Sequence, residues 1–256
     1  MKKKWLLNGL LVLCVLVFAG CAFYLGRYYL NFKNAEDAIG ELQKLKEESG
    51  QADGEELKTP EGEKILRQYK KLYRQNPDLM GWIQVKGTKI DYPVMQTRKE
   101  SEFYLHRNFK KADDVNGLPF LDASCDAKDE ESNLMVYGHH MKSGLMFAHL
   151  LDFDSADFYD KHRTVLFDTL YEEREYEVVA AFYSQIYKES QEGFRYYNYI
   201  GHLSKKQFKE YVENIQKLSV YDTGIVPKYG EQLLTMVTCA YHVEDGRFVV
   251  VARRKK

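Results

Sequence analysis

A chain of 256 residues that is 45% hydrophobic and 29% charged can build one substantial globular domain with appendages, and its composition excludes intrinsic disorder. Lys2, Lys3 and Lys4 supply three positive charges to a net of −1, so the chain from residue 27 onward carries about −4 and offers no basic stripe for nucleic acid. With 20 Tyr and 14 Phe, residues that suit strands and half-buried surfaces, the expected fold class is mainly β with added helices (α+β).

Trp5 to Gly26 is a run of 22 residues without a charge, interrupted only by Asn8. About 20 apolar residues in a helix span the bilayer hydrocarbon, so residues 5–26 are predicted to form one transmembrane helix. Three lysines before it and only Arg27 close behind place residues 1–4 in the cytoplasm and the remainder outside, a single-pass arrangement in the cell membrane. A cleaved signal peptide, or a lipoprotein signal built on Phe18-Ala19-Gly20-Cys21, is the alternative, and it exports the same globular part. Ala35, Ala38, Ile39, Leu42 and Leu45 recur at spacings of three and four, predicting a short amphipathic helix over 33–48. Turn formers and acids mark 49–61 as a linker, so 27–60 reads as stalk and linker and 61–256 as the folded domain.

Ile65, Leu66, Tyr69, Leu72 and Tyr73 predict a helix that stops by Asn76, because Pro77 disfavours helical geometry in the residue before it. Beyond it the period changes, and residues 82–85, 90–95, 118–121 and 133–137 are short apolar runs punctuated by Gly, Pro or Asn, the pattern of β-strands. Residues 145–161 read as helical, 164–167 and 176–183 as strands, and Ser204 caps a helix to Leu218 with Phe208, Tyr211, Val212 and Ile215 on one face. Strands over 232–238 and 247–252 follow, joined through the turn signal Glu244-Asp245-Gly246.

Cys14 and Cys21 fall in the apolar segment, so the exported part has Cys125 and Cys239, which make no disulfide framework, although one bridge between them is open. Cys239 lies where an apolar strand runs out into a loop, a place where sites are built and where a small core residue could equally sit. Arg247 stands at the far end of the connection, so antiparallel pairing makes it a lateral neighbour of Cys239. There a guanidinium favours a thiolate and donates to an oxyanion. Tyr137-Gly138-His139-His140 ends another strand with imidazoles, the usual proton shuttles for a cysteine nucleophile, and strand geometry alone does not choose between the two. Metal binding by this adjacent pair finds no third ligand. His106, His149, His162, His202 and His242 lack such a context and read as surface or packing residues. No phosphate loop, Cys-x-x-Cys pair or calcium-loop spacing is present, and no cofactor is implied.

Taken together, Tyr137-Gly138-His139, the Thr-x-x-Thr-Cys run of Thr235 to Cys239, and Gly246-Arg247-Phe248-Val249-Val250 resemble the three motifs of sortases, specifically class B. Asn76 to Ile83, Ile90 to Val94 and Gly144 to Phe147 are also similar to class B sequence, so the resemblance covers about residues 65–252. It implies an eight-stranded β-barrel with N-terminal helices and a long helix before the penultimate strand. It assigns Cys239 the role of nucleophile, His139 the acid/base and Arg247 the third catalytic role, and puts Tyr137 and Thr238 at the substrate. It further implies cleavage of a sorting signal resembling Asn-Pro-x-Thr-Asn or Leu-Pro-x-Thr-Gly after its threonine, by way of a thioacyl-enzyme. The partners are then surface proteins bearing such a C-terminal signal, an amine of a peptidoglycan precursor, and the membrane. Val237 departs from the serine common in class B, and Ala240 and His106 fall where other polar residues are commonly used, which bears on the sorting sequence.

Reference pKa values of about 8.5 for Cys and 6.5 for His make the neutral pair the dominant form unless the site intervenes. A papain-like cell-wall hydrolase has its cysteine before its histidine, the opposite order to His139 and Cys239. A pilin-polymerising sortase would differ in the amine acceptor, and an idle membrane-tethered binding domain would not need the three polar residues.

Overall fold

The computed structural model describes residues 2–51 and 56–255, with the side chains described from Asn8. Residues 52–55 of the expected linker and Met1 of the expected cytoplasmic end lie outside the described residues. Two compact units are distinguished, residues 1–41 and residues 42–256.

The first unit is helical and belongs to α1, which runs from Lys2 to Gln51 without a break. The apolar run and the expected short helix over 33–48 are thus one helix, and residues 49–51, expected to open the linker, are its last turn. The physical reason is the absence of proline through all 50 positions. Its apolar stretch has a mean hydropathy of 2.4 and none of it is buried, so it is long and apolar enough to cross a membrane.

In the second unit the strands β1 (Leu79–Gln84), β2 (Asp91–Met95), β3 (Phe120–Leu121), β4 (Ser132–Tyr137), β5 (Thr164–Thr169), β6 (Glu175–Gln185), β7 (Gly201–His202), β8 (Leu233–Cys239) and β9 (Gly246–Arg254) form one sheet. Its order is β3-β2-β1-β5-β6-β9-β8-β4, and β3 also pairs with β4, which closes eight strands into a barrel; β7 adds two residues outside β4. The expected mainly-β class and eight-stranded barrel are borne out. The β2–β3 and β4–β8 pairs are parallel, and β8–β9 and β6–β9 are antiparallel.

The barrel is filled from the continuous apolar runs: Leu134, Val136, Phe167, Phe182, Met236 and Phe248 are all fully buried. The helix α4 (Lys205–Leu218) precedes β8 as expected. Ser204 caps it in a reciprocal capping box with Gln207, and Phe208, Tyr211, Val212 and Ile215 are its buried face. Tyr211 and Thr235 share a buried hydrogen bond of 2.7 Å, and the Thr235 hydroxyl also donates to Asn133 Oδ1 at 2.7 Å, tying α4 to β8 and β8 to β4.

Two helices differ from expectation. Ile65 and Leu66 are not helical: the Leu66 amide donates to the Leu170 carbonyl at 2.7 Å, a tertiary bond that keeps this stretch extended, and helix begins as a 3-10 turn at Arg67 before α2 (Lys70–Gln75). Asn76 is extended, as its proline neighbour requires. Residues 145–161 split into a 3-10 segment over Phe147–Asp154 and α3 (Ala156–Lys161), because Ser155 takes an extended conformation between them.

Candidate active site

Three adjacent strands end at one rim of the barrel. In the antiparallel β8–β9 ladder Cys239 is directly opposite Arg247. The next rung is bonded, Ala240 N–H donating to the Gly246 carbonyl at 2.9 Å, so positions 239 and 247 form a non-hydrogen-bonded pair, whose side chains stand closest. On the other side of β8, parallel β4 pairs Tyr137 with Val237. The pairing carries on through Gly138 N–H to the Val237 carbonyl at 3.0 Å, which brings His139 alongside Cys239 two residues further on. Imidazole, thiol and guanidinium therefore stand side by side, at the ends of β4, β8 and β9 in that spatial order, with the thiol in the middle. All three line a cleft of about 420 Å³ with Tyr137, Thr238 and Tyr196 on its walls.

His139 is half-buried and its Nε2 lies 2.8 Å from the Leu105 carbonyl. A carbonyl oxygen only accepts, so Nε2 carries the hydrogen and Nδ1 is the basic nitrogen of the neutral ring. Burial holds the His139 pKa below the usual histidine value; the Leu105 carbonyl works against this and the neighbouring His106 ring reinforces it. The His106 ring lies tilted against that of His139, with ring centroids 5.4 Å apart. Leu105 has no signal in the sequence because it acts through its backbone; His106, which lacks a catalytic context in the chain and is marked through the family resemblance alone, is exposed but reaches the site because the 3-10 turn Phe103–His106 folds over it.

That turn is held by Gly117, whose φ is +56° and whose position leaves no room for a side chain. A Cβ there would lie 2.2 Å from the Leu105 carbonyl oxygen, the same oxygen that fixes His139. Gly117→Ala is therefore expected to cost at least about 1–2 kcal/mol from the left-handed backbone alone. It should also lower kcat/KM by about tenfold or more as His139 is displaced. Thermal melting together with peptide-cleavage kinetics checks this, and an unchanged kcat/KM in the folded variant counts against a role for the Leu105 carbonyl.

Arg247 is half-buried and directs Nη1 onto the carbonyls of Asp245 and Gly246, at 3.1 and 3.0 Å. Thr238 donates its hydroxyl to the Gly138 carbonyl at 2.8 Å, and the Tyr137 hydroxyl contacts the Met135 sulfur at 3.1 Å. Val237 and Ala240, two of the departures from class B, are each 2% exposed, and of the pair only Val237 lines the cleft.

All four cysteines are free, so the bridge left open between Cys125 and Cys239 is not formed. Cys125 is fully buried, accepts the Met135 N–H at 3.4 Å and lies 3.5 Å from the Asn133 carbonyl. Burial pushes its thiol up to about 11, which keeps it protonated and inert at neutral pH. Cys239, by contrast, is partly exposed at the mouth of the cleft.

A closed barrel with thiol, imidazole and guanidinium on three neighbouring strand ends defines a cysteine enzyme of the acyl-transfer class. The family model described as "Sortase domain" matches residues 83–255. Sortase B of Staphylococcus aureus is 29% identical over 195 residues, covering 75% of this chain and 76% of that protein. Sortase B of Listeria monocytogenes is 30% identical over 181 residues, covering 70% of each chain. The crystal structure of sortase B from Bacillus anthracis in complex with AAEK1 is similar with a TM-score of 0.73 and 30% identity, over 89% of this chain and 99% of that one. The chain belongs to the sortase family of cysteine transpeptidases, and its relatives are those of class B, as the motifs led one to expect.

Proposed function

We propose that this sortase cleaves a C-terminal sorting signal of the Asn-Pro-x-Thr-Asn or Leu-Pro-x-Thr-Gly kind after its threonine and joins the surface protein to an amine of a peptidoglycan precursor. The observation that carries this reading is the register that sets Cys239 opposite Arg247 and beside His139 at one cleft. The Cys239 thiolate attacks the threonine carbonyl, and Arg247 donates hydrogen bonds to the oxyanion. As the carbon–nitrogen bond breaks, protonated His139 gives its Nδ1 proton to the departing amine, leaving a thioester on Cys239. The acceptor amine then attacks that thioester, His139 takes the amine proton, and the thiolate leaves. Tyr137 and Thr238, on the wall of the cleft, flank the bound signal. That a substrate complex of Staphylococcus aureus sortase B shares this fold, with a TM-score of 0.68 at 24% identity, is consistent with a peptide occupying the cleft.

Residues 5–26 serve as a single-pass anchor with residues 1–4 in the cytoplasm, 27–60 as stalk and linker, and 61–256 as the catalytic domain outside the cell. Three lysines ahead of an apolar helix support that orientation. Incubation with a library of fluorogenic sorting peptides, with and without a Cys239→Ala control, tests the reading. Cleavage after threonine in one peptide class supports it and names the signal; cleavage that survives in the control contradicts it. Supplying a wall-precursor amine or a pilin lysine as acceptor separates wall anchoring from pilin polymerisation.

Burial and His106 both disfavour imidazolium at His139, so the protonated ring is scarcer than its reference value implies. Removing one source of repulsion should raise the His139 pKa. For His106→Ala the acidic limb of kcat/KM is accordingly expected to move to higher pH and the plateau to rise, most visibly at low ionic strength. A limb that stays in place, or moves to lower pH, contradicts the assignment of that limb to His139.

A further inference from the structure

The adjacent histidines of the strand-end motif have separate destinations. His139 lines the cleft, whereas His140 turns its Nδ1 onto the backbone carbonyl of Cys239, at 3.1 Å. That bond replaces a rung of the ladder. In a regular parallel pairing that starts with Gly138 N–H on the Val237 carbonyl, the carbonyl two residues on, at Cys239, would accept the backbone N–H of residue 140. Here residue 140 instead forms an antiparallel bridge to Met146, Phe147 N–H donates to the His139 carbonyl at 2.9 Å, and the chain turns back on itself. The imidazole takes over where the backbone has left the strand.

We propose that His140 is a positioning residue for the nucleophile: its Nδ1–H holds the Cys239 carbonyl and so fixes the last residue of β8 on the side where backbone pairing with β4 has ended. The proposal rests on the reading of Cys239 as nucleophile. Since a carbonyl oxygen only accepts, the hydrogen is on Nδ1. The Tyr241 ring, from the connection between β8 and β9, lies tilted beside the His140 ring with centroids 5.6 Å apart. The Cys239 carbonyl is thereby restrained from the segment that follows β4, while on the other side residue 239 is paired with Arg247 of β9. A residue that ends a strand without such a restraint frays, and a misplacement of about 1 Å at a reacting atom can cost on the order of 10²-fold in rate.

The test compares three substitutions with wild type in peptide cleavage and thermal melting. Asparagine puts an amide N–H where imidazole carries Nδ1; glutamine puts it where Nε2 would be; alanine has none. His140→Ala and His140→Gln are expected to lower kcat by roughly 10–100-fold with KM within about twofold. His140→Asn should recover to within about threefold of wild type. Because asparagine cannot titrate, that recovery also excludes proton transfer by His140. Wild-type kcat in the alanine variant, equal loss in the asparagine and glutamine variants, or a rise in KM at unchanged kcat would each overturn the proposal. A parallel Cys239→Ala arm keeps the two ideas apart: turnover surviving there removes the nucleophile assignment, whereas an inactive control beside a fully active His140→Ala removes the positioning role alone.

Discussion

Replacing Cys239 with alanine is expected to lower kcat/KM for peptide cleavage by at least roughly 10⁴-fold, to the background of the assay, because the substitution removes the sulfur that forms the covalent intermediate. Cys125 cannot take over: it is fully buried, and burial pushes its thiol up to about 11. Cys14 and Cys21 lie in the apolar stretch of α1. The substitution removes one sulfur from a partly exposed strand end, so the thermal midpoint should move by no more than about 2 °C. Loss of activity at constant melting temperature is the combination that assigns chemistry to the thiol; loss accompanied by a large drop in melting temperature would point to a packing role instead.

Arg247→Ala is expected to cost about 10²–10³-fold in kcat with little change in KM, the penalty typical of removing an oxyanion donor. The guanidinium spends Nη1 on the carbonyls of Asp245 and Gly246, an anchorage that sets its direction, and leaves the hydrogens on Nε and Nη2 for the oxyanion. Arg247→Lys should recover only part of the loss, since an ammonium carries charge but not the planar fork. The register makes this pair rigid: Arg247 faces Cys239 on one side and Ser184 of β6 on the other. Steady-state kinetics on a single peptide decides, and a lysine variant as fast as wild type would mean that charge alone suffices.

Much of this was legible in the sequence because the barrel is built from continuous apolar strands whose ends are marked by polar residues. The pairing of Cys239 with Arg247 follows from one short connection between two strands, and that is local information. Choosing His139 over His140 is not local, for the two are adjacent, and what separates them is the neighbouring strand and the turn carrying Leu105, 34 residues upstream. His106 is marked by the family resemblance alone; its place beside His139 has no local signal, because it depends on Gly117 allowing the turn to close, a backbone requirement that leaves little pattern. Ile65 and Leu66 show the reverse failure: their spacing is helical, but a single hydrogen bond to Leu170 keeps them extended. The long α1 was read in two pieces because its composition changes from apolar to charged, whereas helix continuity depends on the backbone and not on that change.

The central claim is that Cys239 becomes acylated by the threonine of a sorting signal. Intact-protein mass spectrometry, on enzyme mixed with a sorting peptide in the absence of an amine acceptor, measures this directly. The account predicts an added mass equal to the peptide up to its threonine, mapped to the fragment containing Cys239 and released by hydroxylamine. An adduct on any other residue, or peptide turned over at the full rate with no adduct under quenching conditions that preserve thioesters, would contradict it.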